Sequence, residues 1–186
     1  MQALIVVDAQ NEFSEKGKRP VPNHSSILEV IRQRVVQARN EGRPIAWVRH
    51  FNQPNESPAF IPGTWGSEFS SDFGPKPGVD TEKEFQKNVY GAFTGTNIGS
   101  WLKKVNADKV LIVGFYTHGC VSTTAREAIM AGLDVSLDPG ATGACDMTNE
   151  ILGKLSADEV RRSALLQLSN MGASITPLQH HVETDK

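Results

Sequence analysis

Cysteine is scarce in this chain: 186 residues hold two, Cys120 and Cys145. Such a pair does not read as a disulfide framework, so a reduced, cytoplasmic protein is the simplest expectation. Excess charge of one sign is also missing. Nineteen Lys and Arg stand against 21 Asp and Glu, for a net charge of −2. A nucleic-acid partner is therefore not expected, since it would call for a basic face. No apolar run approaches the length of a membrane span, so no membrane partner is expected either. No leader segment is expected, because the N-terminus reads directly into a core strand. Phosphate-cradling loops are absent as well. After Asp8 the chain reads Ala9-Gln10-Asn11-Glu12-Phe13, without a Gly-x-Gly-x-x-Gly, and no Walker sequence occurs. At 39% hydrophobic content, the chain suits one domain over residues 1–186, with a polar tail from about residue 180.

What is present is an alternation of short apolar strands and amphipathic helices. Ala3–Val7 reads as the first strand, ending at Asp8. Ser25–Glu41 carries Ile27, Leu28, Ile31, Val35 and Ala38 at close to helical period, and Gly42 supplies a stop. Pro44–Arg49 is a second strand. Residues 50–80 are rich in Pro, Gly, Ser and Asn, and a loop that long in a compact domain is usually functional. Thr96–Val105 predicts a helix with Ile98, Trp101, Leu102 and Val105 on one face. A strand over 109–113, a helix over 120–131 and a strand at Leu133–Leu137 follow. Ser156-Ala157-Asp158-Glu159 is a capping box that opens a helix to Met171. Ala173–Thr176 is the last strand. This order predicts an α/β fold: three α/β/α layers around a mostly parallel, doubly wound sheet of about six strands. Right-handed crossovers then bring Asp8, Arg49, the 50–80 loop and the 114–120 turn to one rim.

Cys120 stands where the strand Lys109–Gly114 hands over to a helix. A thiol on a first helical turn faces unpaired N–H groups and the positive end of the macrodipole, and both favour the nucleophilic thiolate. The alternative is a small apolar residue that packs. Asp8, at the carboxyl end of a strand, is a candidate base or a turn residue. Lys87 lies within Phe85–Phe93, with apolar Phe85 and Val89 on either side of Gln86-Lys87-Asn88, and is followed by a turn. Taken alone it reads as a solvated surface lysine.

Four segments together carry more: Val6-Val-Asp-Ala-Gln-Asn-Glu-Phe13, Pro62-Gly-Thr-Trp-Gly-Ser-Glu68, Gln86-Lys-Asn-Val-Tyr-Gly-Ala-Phe-Thr-Gly-Thr96 and Val113-Gly-Phe-Tyr-Thr-His-Gly-Cys-Val-Ser-Thr-Thr-Ala-Arg-Glu-Ala128. In this order they resemble the isochorismatase-like cysteine hydrolases, a family that includes nicotinamidases, N-carbamoylsarcosine amidohydrolase and ureidoacrylate amidohydrolases. The resemblance implies the family's three-layer fold and puts its Asp–Lys–Cys triad on Asp8, Lys87 and Cys120. It further implies a cis peptide at Phe115–Tyr116 and oxyanion donors in the turn Phe115, Tyr116, Thr117 and beyond. The implied reaction is cleavage of a C–N bond in a small amide, ureido or carbamoyl substrate through a Cys120 thioester. Vinyl-ether cleavage with Asp8 as acid is the alternative, and a non-enzymatic small-molecule-binding α/β module is the alternative of another class. Homo-oligomers, dimers or tetramers, are common among relatives.

Phe13, Trp65, Tyr90 and Phe93 are candidates to line the substrate slot, while Trp47 reads as core. His118 either touches substrate or caps the turn. Arg49 either clamps a substrate carboxylate or pairs with a neighbouring acid. Nicotinamidases in the family hold a divalent ion through an Asp-x-His pair after strand two. Here His50 and Asn52 stand in those places. No metal and no other cofactor is expected on that ground, and nicotinamide is disfavoured as the substrate.

Overall fold

The computed structural model describes residues 1–178; the polar tail expected at 180–186 lies outside the described residues. The elements are β1 (Gln2–Val7), α1 (His24–Asn40), β2 (Ile45–His50), β3 (Glu82–Lys87), α2 (Ile98–Lys104), β4 (Lys109–Phe115), α3 (Ser122–Met130), β5 (Asp134–Gly143), β6 (Met147–Asn149), β7 (Gly153–Leu155), α4 (Ala157–Asn170) and β8 (Ser174–Ile175). Six strands form one parallel sheet in the order β3-β2-β1-β4-β5-β8.

The strands are apolar throughout because both faces of the sheet are covered. Along β1, Ala3, Ile5 and Val7 pack toward α2, α3 and α4, and Leu4 and Val6 pack toward α1. Ile31, Val35 and Ala38 of α1 close one layer; Trp101, Leu102, Ala125, Ala128, Leu165 and Leu168 close the other. The capping box at the head of α4 is formed, with Ser156 and Glu159 bonding each other's backbone N–H.

Four strands depart from the sequence expectation. β3 reads Glu-Lys-Glu-Phe-Gln-Lys and has no apolar run, because it is an edge strand paired only to β2. β5 continues past Leu137 to Gly143. Pro139 falls in the register shift between the Ile112↔Leu137 and Gly114↔Thr142 pairs, where no ladder N–H is needed. β6 and β7 form a small, exposed antiparallel hairpin.

Order outward from β1 is β2 then β3 on one side, and β4, β5, β8 on the other. The switch point therefore lies between β1 and β4, where open α/β sheets bind ligands beyond their carboxyl ends. Gly114 permits this junction to be tight. Its φ is +120°, and a Cβ there would collide with the Val7 carbonyl.

Candidate active site

Four consecutive strands each deliver one side chain to the same point. Asp8 follows β1, His50 ends β2, Lys87 ends β3, and Cys120 follows β4. His50 and Lys87 are register partners in neighbouring parallel strands. Asp8 takes a φ of 50°, a left-handed conformation that Asp tolerates better than most residues, and β1 ends there. Its N–H still donates to the Val48 carbonyl at 2.9 Å, which keeps the residue fixed to the sheet. Cys120 lies in a turn over Thr117–Val121, just ahead of α3. The Phe115–Tyr116 peptide that leads into this turn is cis.

Lys87 is the hub. Its Nζ donates to Asp8 Oδ2 at 2.7 Å and to Cys120 Sγ at 3.2 Å, and it lies 3.1 Å from His50 Nδ1. All four residues are buried. The opposite wall of the network fixes the histidine tautomer. Asn52 Nδ2 donates to the Ala59 carbonyl, so its Oδ1 faces His50 Nε2 at 2.7 Å and accepts the ring N–H. His50 Nδ1 is then the acceptor for Lys87. Gln10 anchors the same strand end: its Nε2 donates to the His50 and Ser67 carbonyls, and its Oε1 accepts from the His50 N–H.

The electrostatics follow from burial and neighbours. Burial pushes the Cys120 thiol pKa well up, and the Asp8 charge adds to this; the Lys87 ammonium opposes both. Burial and the Asp8 charge thus work against the thiolate that the helix terminus would favour, and Lys87 works with it. For Lys87, burial works downward, but the Asp8 carboxylate and Cys120 together hold the ammonium above its usual range. His50 is lowered, by burial first and then by the Lys87 charge, which keeps it neutral. Asp8 Oδ1 is buried and accepts no hydrogen bond among the described residues.

A cavity of about 780 Å³ opens over this point. Of the residues expected in the substrate slot, Phe13, Tyr90 and His118 line it, and the structure adds Arg19, Asn52, Phe60 and Tyr116. Phe13 packs on Phe60, Phe115 and Tyr116, with ring centroids 4.8–5.2 Å apart. His118 stacks on Tyr116, and burial lowers its pKa. Three expected slot residues lie elsewhere. Arg49 bonds Glu84 through Nε and Nη2 at 2.9 and 2.6 Å and stacks over Phe51 and Phe69, so the neighbouring acid takes the guanidinium. Trp65 is exposed beside Ser14, His24 and Ser25. Phe93 packs against the core on the α2–α3 side. Trp47 is fully buried, as expected, and donates to Glu82. Thr117 Oγ1 is paired with Thr142 Oγ1 at 2.8 Å, inside the fold.

Asp8, His50 and Cys120 bring donor atoms within 4.8 Å of one another, a spacing compatible with a metal ion. The Lys87 ammonium already contacts all three of these residues. A divalent ion at that place would face a buried like charge, and both His50 nitrogens are engaged. The donor set therefore does not fit a metal with Lys87 protonated.

The Isochorismatase domain model matches residues 2–179. The chain is 35% identical over 151 residues to a secreted isochorismatase effector of Verticillium dahliae, covering 77% of this chain and 73% of that one. It is 29% identical to the nicotinamidase/pyrazinamidase of Mycobacterium tuberculosis, over 72% and 81% of the two chains. An isochorismatase crystal structure from Pseudomonas putida superposes with a TM-score of 0.86 at 26% identity, covering 95% and 87%. The chain belongs to the isochorismatase family of hydrolases.

Proposed function

We propose that this protein is a cysteine hydrolase that cleaves a C–N bond of a small amide, ureido or carbamoyl substrate through a thioester on Cys120. One observation carries the reading: the Lys87 ammonium binds both the Asp8 carboxylate and the Cys120 sulfur at the floor of an open cavity. A buried cluster resists gaining net charge. Proton transfer from the Cys120 thiol to Asp8 leaves its total charge unchanged, with Lys87 beside the new thiolate. The bare Asp8 Oδ1 is an acceptor for that proton.

The thiolate attacks the carbonyl carbon, and an oxyanion forms. Its donors are turn N–H groups other than those of Gly119 and Val121, which already donate to the Tyr116 carbonyl. Protonated Asp8 returns its proton to the departing nitrogen as the C–N bond breaks, which leaves the acyl group on sulfur. Asp8 then draws a proton from water as the water attacks the thioester, and it passes that proton to the departing sulfur, which releases the acid and restores the Cys120 thiol and the Asp8 carboxylate. Vinyl-ether cleavage would leave Cys120 and its lysine contact without a role. Two unpaired cysteines suit a reducing compartment, and we place the enzyme in the cytoplasm as a homo-oligomer. No helix among the described residues is long and apolar enough to cross a membrane.

The test is intact-protein mass spectrometry of wild type and Cys120→Ala with a panel of small amides, ureides and carbamoyl acids, ammonia release being followed in parallel. An acyl adduct on wild type alone, with ammonia released, is expected. Turnover that survives in Cys120→Ala would remove the nucleophile assignment.

A further inference from the structure

We propose that Arg19 forms an anion subsite at the far side of the cavity, so that the substrate is a carboxylic acid carrying its amide or ureide at the other end. The inference rests on the hydrolase reading for the reacting end and on separate observations for the anionic end. Among the described residues, Arg19 is the only Arg or Lys that lines the cavity. Lys87 is spent on the network beneath, while the Arg19 guanidinium makes one long contact, 3.4 Å to Ser57 Oγ, and no ion pair among the described residues. Six other arginines, Arg32, Arg34, Arg39, Arg43, Arg49 and Arg161, are committed to acids, whereas Arg126 and Arg162, which do not line the cavity, form no ion pair among the described residues.

The backbone of Arg19 is held from two sides while its side chain is left uncommitted. Its N–H donates to the Glu12 carbonyl and its carbonyl accepts from the Tyr116 hydroxyl, both at 3.0 Å. Tyr116 thus reaches from the turn that carries Cys120 to the residue that carries the guanidinium. A substrate spanning the two ends would lay an apolar spacer along Tyr116, Phe13 and Phe60, with a planar carboxylate against the guanidinium fork. Glu56 shares the cavity wall, makes no ion pair with Arg19, and accepts from the Gln53 N–H through Oε2.

The test has two arms. In the first, ammonia release is measured for the monoamides of the dicarboxylic acids from malonic to adipic, each beside its neutral methyl ester, on wild type, Arg19→Gln and Arg19→Lys. Wild type is expected to prefer the acid of at least one spacer length by about tenfold or more in kcat/KM, expressed in KM. Arg19→Gln should erase that preference, and Arg19→Lys should retain part of it. In the second arm, binding of the dicarboxylates themselves is measured by calorimetry, which needs no turnover. Binding to wild type that is lost in Arg19→Gln supports the subsite even where no amide is cleaved, in which case the hydrolase reading alone has failed. Ammonia released equally from acids and esters, unaffected by Arg19→Gln, overturns the subsite and leaves the hydrolase reading intact. Silence across both arms overturns the subsite as well.

Discussion

The floor and the rim of one cavity are built by different rules. The floor lies at the strand ends: Asp8, His50, Lys87 and Cys120 are buried and joined through the Lys87 ammonium, and Asp8, His50 and Lys87 are held to the sheet ladder. The rim is made of loops: Arg19, Glu56 and Tyr90 are exposed and few of their polar atoms are committed. A rigid floor suits bond-making, where misplacement by an ångström is costly. A loosely held rim suits the choice of substrate, since it can vary without disturbing the sheet. Substitutions at the floor should accordingly stop the reaction or unfold the protein, and those at the rim should alter KM.

The largest expected effect is that of Lys87→Met. It leaves the buried Asp8 carboxylate without its counter-charge, so stability should fall by about 3 kcal/mol or more, along with activity. Denaturant unfolding checks this, and a near-neutral change would mean that the pair contributes less than its burial implies. Asp8→Asn sharpens the account of the floor further, because two readouts should move in opposite directions. Removing the Asp8 charge eases ionisation of the thiol, so alkylation of Cys120 by iodoacetamide should speed up about tenfold, while turnover collapses for want of a base. Both readouts falling together would make Asp8 a purely structural residue.

A smaller effect concerns pH. Burial holds His24, His50 and His118 below their ordinary 6.5. In the pH range beneath 6.5 the unfolded chain therefore binds more protons than the folded one, and stability falls as pH drops through that value. The slope is up to about 1.4 kcal/mol per pH unit for each group that stays neutral when folded. Melting temperatures measured from about pH 7.5 down to about pH 5.5 should decline, with a shallower decline in His118→Phe. The smallest effects belong to the rim and beyond. Tyr90→Ala should raise KM a few-fold with stability unchanged within about 0.5 kcal/mol, whereas Trp65→Ala, which lies away from the cavity, should leave KM alone.

The same division governs what was legible in the sequence. Strand ends follow from periodicity and topology, so Asp8 and Cys120 could be placed at one rim from their flanking apolar runs. Lys87 could not. Its strand is a charged edge, and only the resemblance to a known family singled it out. The sequence marks His50 only as a position where a metal ligand would stand, yet its tautomer, set through Asn52 and Ala59, gives it a place in the lysine network. Arg49 was open between a ligand and a neighbouring acid. The answer depended on Glu84, which lies on a strand that carries no sequence signal. Arg19 sits in Lys-Gly-Lys-Arg-Pro, which looks like a solvated basic run, and a hydrogen bond from a tyrosine 97 positions away brings it to the cavity. Such contacts are long-range and leave no local pattern.

The central claim is that Asp8, Lys87 and Cys120 act as one catalytic unit. The most direct test is a set of kinetic cycles on Asp8→Asn, Lys87→Ala, Cys120→Ala and their pairwise combinations, using a substrate that releases ammonia. One unit predicts that each pair containing Cys120→Ala is no slower than Cys120→Ala alone. Losses that multiply from one substitution to the next would contradict it, and would make the three residues independent contributors that happen to meet.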